Sequence, residues 1–511
     1  MSTIRQALHA LHSAPDAANM IQQAGRWHTW GEVRSLVARI DAGLTGAGVR
    51  EGARVGVILE NSVDSVAALI ALLGNGRTVV ALNPMQPARR VAGDVRSTRA
   101  QAILAPARFF DDAEFSAAAA ESGSVCFLLG RGDVQRLERD PAAPTDPADL
   151  GSRRREPTDS GSAVAIEMFT SGTTGPPKRV PLTWRQLDAA MSAVHGHTGA
   201  AGPAREPLTG RVALVTLAIV HIGGMWAVLQ ALTEARPFVL LPRFTVEGWV
   251  SAIEEHQPRI ASLPPAAMRS VLTARVPAAR IASLRAVTAG TTFVSPELAD
   301  EFIARYRIPV LIMYGATEFS GAIAGWTKPM HEQWWERKRG SVGRAFPGVR
   351  LRVVGEDGTP RGAGETGRLE VCSGQVGGGA GSWVRTSDLA HVDDDGFVFI
   401  DGRADDAILR GGFKVQPEVV ANALRAHESV LDATVYGKAD ERLGQVPVAV
   451  VELVDGAEPV DEADLRAFVR HQLTGYEVPV AIHTVTELPR SVSLKIDRGR
   501  LLDLVAELEA S

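Results

Sequence analysis

The first 330 residues alternate between short apolar runs and amphipathic stretches, and this alternation limits the fold more than any other feature. Arg54–Leu59 is typical of a strand, Ser62–Leu73 of a helix with Ser62 as its N-cap, and Thr78–Leu82 of the next strand. Similar strand candidates follow at Val212–Leu217, Pro237–Leu241, Leu284–Ala289 and Pro309–Met313. Strands that alternate with helices predict an α/β fold with doubly wound, mostly parallel sheets.

The pattern changes near residue 340, where short β segments with Gly-rich turns predict a small β subdomain over residues 340–400. The charged turn Asp401–Asp406 follows, and residues 407–511 have an α+β pattern of their own. Since 511 residues exceed a single hydrophobic core, we expect an N-terminal domain over 1–402 and a small mobile C-terminal domain over 403–511. The polar segment Arg131–Ser162 is interpreted as a surface connection.

Composition excludes several classes of protein. A net charge of −5 gives no electrostatic footprint for nucleic acid. Two distant cysteines, Cys126 and Cys372, offer neither a disulfide framework nor a metal cluster. The chain has no apolar run near the roughly 20 residues that span a bilayer and no signal-peptide core. These features predict a soluble cytoplasmic protein without a membrane partner.

The segment TSGTTGPPKRV (Thr170–Val180) follows an apolar strand, Ala163–Phe169, and its small polar residues bury nothing. Glycines allow close backbone approach, while N–H groups and hydroxyls can surround a polyphosphate. The candidate binding residues are Thr170, Ser171, Gly172, Thr173, Thr174, Gly175 and the cation Lys178. The alternatives are a flexible linker, which would not need this composition, and a Walker A loop, whose Gly-Lys-Ser/Thr ending is missing.

Four further motifs occur in order along the chain: YGATE (314–318), RTSDL (385–389), GRADDAILRGGFKVQP (402–417) and LPRSVSLKIDR (488–498). Together with the phosphate loop, they resemble the signatures of the adenylate-forming superfamily, which includes acyl-CoA synthetases, luciferase-like enzymes and adenylation domains of peptide synthetases. The resemblance spans nearly the whole chain. It implies ATP, Mg²⁺ and coenzyme A as cofactors, with a small carboxylic acid as substrate and no nucleic acid as partner.

The resemblance assigns a nucleotide-binding role to several residues. Tyr314 would stack on adenine beside Gly315, and Gly290 and Thr291 in the AGTT turn would contact the adenine edge. Asp388 would accept hydrogen bonds from both ribose hydroxyls, a task that needs a carboxylate acceptor.

The same resemblance assigns the adenylation chemistry, in which a carboxylate attacks the α-phosphate and pyrophosphate leaves. Glu318 would hold Mg²⁺, Thr317 would donate to the α-phosphate, and Arg403 would bind near the ribose and phosphate. Lys495 would bridge carboxylate and phosphate oxygens. Positioning and charge neutralisation supply most of the catalysis in such a reaction.

For the thioester step, the resemblance implies that the small domain rotates about the hinge residue Asp405. Lys495 would then leave, and the Gly411–Gly412 turn would enter with Phe413 and Lys414 near coenzyme A. For Lys414 a solvated surface lysine is an equal interpretation. His221 matches a gating histidine of acyl-CoA synthetases, although a buried structural histidine remains an alternative.

The substrate is indicated by what surrounds His221. There is no Asp between Ala218 and Ala231 to hold an ammonium group, which argues against an amino acid substrate. Many small residues follow in the segments His221–Trp226, Thr288–Thr292 and Met313–Gly321, and they predict room for a bulky or ring-containing acid.

Three positions depart from the family pattern: Arg179, Ser387 and Leu494 stand where glycine is usual. Arg179 and Leu494 adjoin adenylation elements, so one hypothesis is slowed adenylation, with an enzyme that uses preformed acyl-adenylate. The other is that neighbouring residues compensate. Two alternatives also stay open: transfer of the acyl group to a carrier-protein thiol or to an amine, and a nucleotide-binding protein with a dead site. An oxidoreductase is disfavoured because GQVGGGAG (374–381) is not expected to follow a strand or open a helix.

Lysine usage supports the motif assignment. Lys and Arg total 54, yet only six are Lys, and three of these (Lys178, Lys414 and Lys495) fall within the quoted motifs. A compact ammonium fits between two oxygens where a planar guanidinium does not.

Overall fold

The computed structural model describes residues 2–137, 163–170, 178–199, 206–378, 381–411, 413–454, 456, 460–491 and 495–510. These residues form a mixed α/β structure, as predicted. Among the described residues, no helix is long and apolar enough to cross a membrane.

The first part of the chain builds a seven-stranded sheet and the beginning of a second sheet. Its strands are β1 (Asn19–Gln23), β2 (Arg26–Thr29), β3 (Arg54–Ile58), β4 (Thr78–Leu82), β5 (Ala102–Ala105), β6 (Val125–Gly130), β7 (Asp133–Arg136), β8 (Val164–Thr170) and β9 (Lys178–Thr183). Its helices are α1 (Thr3–Ala10), α2 (Trp30–Gly46), α3 (Val63–Gly74), α4 (Ala88–Thr98), α5 (Ala107–Phe110), α6 (Ala113–Glu121) and α7 (Trp184–Thr198).

The middle part adds β10 (Ala213–Val215), β11 (Phe238–Leu240), β12 (Ile260–Ser262), β13 (Ala286–Ala289), β14 (Val310–Ala316), β15 (Gly321–Gly325), β16 (Arg344–Ala345), β17 (Arg350–Val354), β18 (Gly367–Cys372), β19 (Val384–Val392) and β20 (Val398–Arg403). Its helices are α8 (Ile222–Thr233), α9 (Val246–His256), α10 (Pro265–Thr273), α11 (Pro296–Tyr306) and α12 (Lys328–Trp334). Short 3₁₀ turns lie at Leu11–Ser13, Ala278–Ile281, Thr317–Phe319 and Trp335–Arg337.

The C-terminal part contains β21 (Ile408–Arg410), β22 (Phe413–Val415), α13 (Pro417–Arg425), β23 (Val430–Asp440), β24 (Gly444–Leu453), α14 (Glu462–Gln472), β25 (Ala481–Val485) and α15 (Arg498–Ala510). Two hydrophobic clusters consist only of residues beyond 407, which gives this part its own core. The boundary at residue 402 and the hinge at Asp405 stay predictions.

Five sheets form within the described ranges. The largest has the order β7-β6-β5-β3-β4-β8-β9, and β3, β4, β5, β6 and β8 pair in parallel. The others are β10-β11-β1-β2, β12-β13-β14-β15-β16, β17-β18-β19-β20, and a C-terminal sheet of β21 to β25. Parallel strands direct their carboxyl ends to one edge of a sheet, where open α/β folds bind ligands.

Local sequence explains several of these elements. Ser62 caps α3 by accepting a hydrogen bond from the Ser65 N–H, as predicted. Thr29 and Glu32 form a capping box that begins α2. Pro417 occupies the first turn of α13, where its missing N–H costs nothing.

Two expectations about loops need correction. Arg131–Ser162 is not simply a connection, because β7 lies within it and pairs antiparallel with β6; residues 138–162 lie outside the described residues. The glycine-rich segment from Gly374 does follow a strand, since β18 ends at Cys372. The next element in the described residues is the strand β19 and not a helix. The segment therefore still does not match a dinucleotide-binding turn, which would open a helix.

Candidate active site

The phosphate-loop segment connects two antiparallel strands of the largest sheet. Thr170 at the end of β8 is the register partner of Lys178 at the start of β9, so the segment between them is a hairpin connection. Ser171, Gly172, Thr173, Thr174 and Gly175 lie outside the described residues. The predicted loop therefore starts at the carboxyl end of a buried parallel strand, where a phosphate site is expected.

The predicted adenine turn packs closely on the neighbouring strand. Gly290 follows β13, and a Cβ atom there would lie 2.7 Å from the Met313 carbonyl oxygen of β14. Thr291 adopts a positive φ of 70°. These constraints hold the turn beside the strand that carries Tyr314 and Gly315. At Gly315 a Cβ would approach the Gly321 carbonyl oxygen to 2.2 Å, so only glycine fits.

Tyr314 and Asp388 are directly joined. The Tyr314 hydroxyl donates a hydrogen bond to Asp388 Oδ2. Burial raises the pKa of Asp388, while the bond from Tyr314 and the nearby Arg403 cation oppose that rise. Burial and the Asp388 charge also raise the pKa of Tyr314 well above its usual value, so the phenol stays protonated.

Arg403 lies beside Asp388, because the two are register partners on the adjacent strands β20 and β19. Its guanidinium donates to Asp405 Oδ2 at 3.0 Å and to the Ser387 hydroxyl at 2.6 Å. Burial lowers the pKa of Arg403, but the hydrogen bond and charge of Asp405 outweigh it and raise the pKa overall. The predicted hinge residue is thus bound to a predicted site residue.

Lys495 reaches the same cluster from the C-terminal part. It lies in a tight hairpin, in which the Ser491 N–H donates to the Lys495 carbonyl oxygen at 2.7 Å. Although the residue as a whole is exposed, the protein atoms around its ammonium and the Arg403 cation lower its pKa, against the attraction of Glu318. Lys495, Arg403 and Glu318 therefore share one electrostatic environment.

His221 faces this environment from the other side. It is the N-cap residue of α8 and is half-buried. Burial, together with the Lys495 cation, lowers the pKa of His221 to about 4. The imidazole is therefore neutral at neutral pH, with one ring nitrogen that donates a hydrogen bond and one that accepts.

Glu318 is the predicted metal ligand and lies in the 3₁₀ turn after β14, next to Thr317. Among the described residues, no group of three or more His, Cys, Asp or Glu side chains is placed to hold a metal. Mg²⁺ is commonly bound by one or two carboxylates together with phosphate oxygens and waters. A single exposed carboxylate fits that mode of binding and would need the nucleotide to complete it.

An apolar region borders His221. Trp226 of α8 lies beside Gly321, where a Cβ would be 3.6 Å from the indole ring. Met313 and Ala322 pack against the same hydrophobic cluster as Trp226. A Cβ at Gly223 would be 3.6 Å from the Thr291 methyl group. The three segments that the sequence indicates for the acid therefore meet in the structure.

The β21–β22 turn makes its contacts within the C-terminal part. The Gly411 N–H donates to the Leu443 carbonyl oxygen at 2.7 Å, and the exposed Phe413 stacks on Tyr476 with ring centroids 4.7 Å apart. Gly412 and the Lys414 side chain lie outside the described part. The structure thus groups His221, Tyr314, Glu318, Asp388, Arg403 and Lys495, and it does not bring Phe413 to them.

Two of the departures from the family pattern have partners that the motifs did not indicate. Ser387 supplies a hydrogen-bond acceptor to Arg403. Arg179 donates to the Ser97 carbonyl oxygen in α4, and its guanidinium lies 6.0 Å from the Phe169 ring centre. Leu494 lies outside the described residues. Phe169 and Arg179 are register partners on the adjacent strands β8 and β9, and this register explains the contact between their side chains.

The chain is similar to known proteins of one enzyme family. An AMP-binding enzyme model matches residues 8–379, and an AMP-binding enzyme C-terminal domain model matches residues 420–495. Indoleacetate–CoA ligase of Aromatoleum aromaticum is 31% identical over 367 residues, 69% of each chain. 4-Coumarate–CoA ligase 2 of Oryza sativa subsp. japonica is 29% identical over 516 residues, covering 95% of this chain and 89% of the relative.

Solved structures share the fold. ATP-bound MatB from Rhodopseudomonas palustris superposes with a TM-score of 0.81 at 22% identity, covering 99% of this chain and 100% of that one. Apo MatB superposes with a TM-score of 0.69 over the same shares. From the motifs, the fold and the match over most of its length, the chain belongs to the AMP-binding enzyme family of the adenylate-forming superfamily.

Proposed function

We propose that this protein is an AMP-forming acyl-CoA ligase that carries out both half-reactions. In the first, an acid carboxylate attacks the α-phosphate of ATP, the bond between the α- and β-phosphates breaks, and acyl-AMP and pyrophosphate form. In the second, the thiol of coenzyme A attacks the acyl carbon, AMP leaves, and the thiol proton is released to solvent. The observation that carries the proposal is that Lys495 of the C-terminal part lies within electrostatic range of Arg403 and Glu318.

The charges of the cluster suit the first step. Lys495 and Arg403 are cations that can neutralise the α-phosphate and the approaching carboxylate, which repel each other. Glu318 and the nucleotide phosphates would hold Mg²⁺, which supplies further charge neutralisation when bound. Asp388, held by Tyr314, leaves its second oxygen to accept from ribose hydroxyls.

The presence of Arg179 in place of the usual glycine does not imply that adenylation is lost. Its guanidinium is engaged by the Ser97 carbonyl oxygen and lies near the Phe169 ring, on the α4 side of the strand. This contact supports compensation rather than blockage of the phosphate loop. We therefore favour the two-step ligase over an enzyme that uses only preformed acyl-adenylate.

The acid is proposed to be a ring-containing monocarboxylic acid that carries no charged group besides its carboxylate. Trp226 and Met313 pack against one apolar cluster, and Gly321, which faces the Trp226 ring, adds no side chain that would cover it. The three pocket segments His221–Trp226, Thr288–Thr292 and Met313–Gly321 contain no Lys or Arg that could pair with a second anionic group. The aromatic acids in the names of the two relatives above point the same way.

The test measures the two half-reactions separately. Pyrophosphate release is followed for a panel of aryl, aliphatic and dicarboxylic acids with ATP, and thioester formation is followed by mass spectrometry from synthetic acyl-AMP with coenzyme A. We expect both with aryl acids, and weaker activity with acetate and dicarboxylates. Thioester formation without pyrophosphate release for any acid would show that the enzyme uses preformed adenylate. Acyl transfer to a carrier protein but not to coenzyme A would contradict the proposed acceptor.

The role of Arg179 is tested with Arg179→Gly, which restores the usual family residue. Because the arginine side chain is engaged at Ser97, we expect pyrophosphate release to change by no more than about twofold, and thermal stability to fall slightly. A large gain in pyrophosphate release, without a change in thioester formation, would show that Arg179 suppresses adenylation.

A further inference from the structure

A buried carboxylate in the C-terminal part is surrounded by three arginines from different segments. Asp432, 3% exposed, lies in β23. Its Oδ1 accepts from Arg425 Nε at 2.8 Å and lies 3.4 Å from Arg269 Nη2, and its Oδ2 accepts from Arg490 Nη2 at 2.6 Å. Despite burial, these arginines hold the pKa of Asp432 well below its usual range.

Arg269 differs from the other two because it comes from the N-terminal part. It lies on α10, within the segment that matches the AMP-binding enzyme model, whereas Asp432 lies within the segment that matches the C-terminal domain model. Arg269 Nη1 also donates to the Leu431 carbonyl oxygen at 2.9 Å. One planar guanidinium thus holds two acceptors of the C-terminal part in a fixed orientation.

The charges explain why this contact favours the observed arrangement. Within the C-terminal part, Arg425 and Arg490 face three carboxylates: Asp432, Glu418 and Glu452. Arg269 brings a third cation to these three anions. When the parts separate, the buried carboxylates lose that cation, whereas the Arg269 guanidinium, 17% exposed here, regains water, which offsets part of the loss.

The same cluster holds the hairpin that carries Lys495. Arg490 forms an isolated β-bridge with Ile496, the residue after Lys495. Glu452 Oε2 accepts from the Leu488 N–H at 3.0 Å and is 3.4 Å from Arg490 Nη2. Asp432 therefore binds Arg269 on one side and the base of the Lys495 hairpin on the other.

We propose that Arg269 is a positioning residue for adenylation: it docks the C-terminal part in the arrangement that brings Lys495 within range of Arg403 and Glu318. The inference rests on the proposed function, because it assigns Arg269 to one of the two half-reactions. Arg269 acts through Lys495 and does not touch the reacting atoms. Thioester formation from acyl-AMP does not need Lys495, so it does not need Arg269.

The activity test compares Arg269→Met with the matched control Arg280→Gln. Arg280 belongs to the same N-terminal part, and within the described residues its ion pairs are with Glu247 and Glu254. For Arg269→Met we expect pyrophosphate release to fall at least tenfold, while thioester formation from synthetic acyl-AMP stays unchanged or rises. Arg269→Lys keeps the positive charge but not the two guanidinium N–H groups that contact Leu431 and Asp432. Its rate of pyrophosphate release should lie between those of the wild-type protein and Arg269→Met. Equal losses in both half-reactions, or no loss in either, would overturn the proposal.

A second measurement does not depend on activity. Hydrogen–deuterium exchange of the intact protein is followed at peptides that cover α10 and residues 430–434. We expect faster exchange at both places in Arg269→Met, and wild-type exchange in Arg280→Gln. Unchanged exchange in Arg269→Met would refute docking by this residue. If the wild-type protein forms no adenylate with any acid, the proposed function fails, while the exchange result still decides the contact.

Discussion

The phenol of Tyr314 donates its proton to a hydrogen bond with Asp388, although the two residues are 74 positions apart. Tyr314 lies in β14 of the β12–β16 sheet, and Asp388 lies in β19 of the sheet of β17 to β20. The contact fixes the orientation of the carboxylate and counteracts the rise in pKa that burial imposes on it. It joins two of the sequence motifs into one binding surface.

Replacing Tyr314 by Phe should move the acidic limb of the pH profile. Loss of the hydrogen bond raises the pKa of Asp388 further, so its carboxylate is protonated at a higher pH and stops accepting from ribose. We expect the pH at which kcat/KM for ATP declines on the acid side to increase. Tyr306→Phe is the control, since Tyr306 is buried and donates to the Val271 carbonyl oxygen away from the motifs. Identical profiles for the two variants would disprove the coupling.

Lys495→Ala should separate the half-reactions. We expect pyrophosphate release to fall by about 10²-fold or more, because a preorganised charge is lost from the reacting centre. Thioester formation from synthetic acyl-AMP should persist. The control is Lys328→Ala, which breaks only an exposed pair with Glu332 at 3.1 Å. Loss of both half-reactions in Lys495→Ala alone would contradict the assignment of this residue to the first step.

The titration of His221 offers a direct check of the electrostatics. Burial and Lys495 depress its pKa to about 4, so the ring should stay neutral as the pH falls from 6.5 until it nears that value. Because the unfolded chain binds this proton more readily, protonation opposes folding as the pH falls through this window. NMR of labelled histidine should show the low pKa, and Lys495→Ala should raise it. A pKa near 6.5 in the wild-type protein would contradict the arrangement.

Ser387→Gly should weaken nucleotide binding through Arg403. The serine hydroxyl accepts from the guanidinium at 2.6 Å, and its loss leaves Arg403 bound mainly to the acidic residues of the hinge turn. A typical hydrogen bond corresponds to a rise in KM for ATP of about 2- to 10-fold. Ser382→Gly serves as the control, because Ser382 is exposed and donates to Gly378. A lower KM in Ser387→Gly would show that the serine hinders Arg403.

The sequence allowed the prediction of elements whose signals are local. The N-cap at Ser62 and the strand Thr78–Leu82 were confirmed as predicted. Hydrophobic periodicity and capping determine such elements over short distances. The motifs also indicated which strand ends carry the site. The roles assigned to their residues remain predictions.

Other features depend on how distant segments meet, so no local pattern could predict them. Arg269 and Asp432 are 163 positions apart, and their contact requires one orientation of the C-terminal part. Arg490 lay inside a quoted motif, but its partner Asp432 did not. The engagement of Arg179 with Ser97 likewise depends on the packing of α4 beside β9.

The contact between Arg269 and Asp432 also limits how fast the protein can work. If the C-terminal part must leave after adenylation, this ion pair has to open once in every catalytic cycle. A stronger contact would slow the opening that must follow acyl-AMP formation. A weaker contact would shorten the lifetime of the arrangement in which Lys495 is docked. Arg269 Nη2 lies 3.4 Å from Asp432, farther than the nitrogens of Arg425 and Arg490 that bind the same carboxylate. A longer contact of this kind suits an interface that must open and close repeatedly.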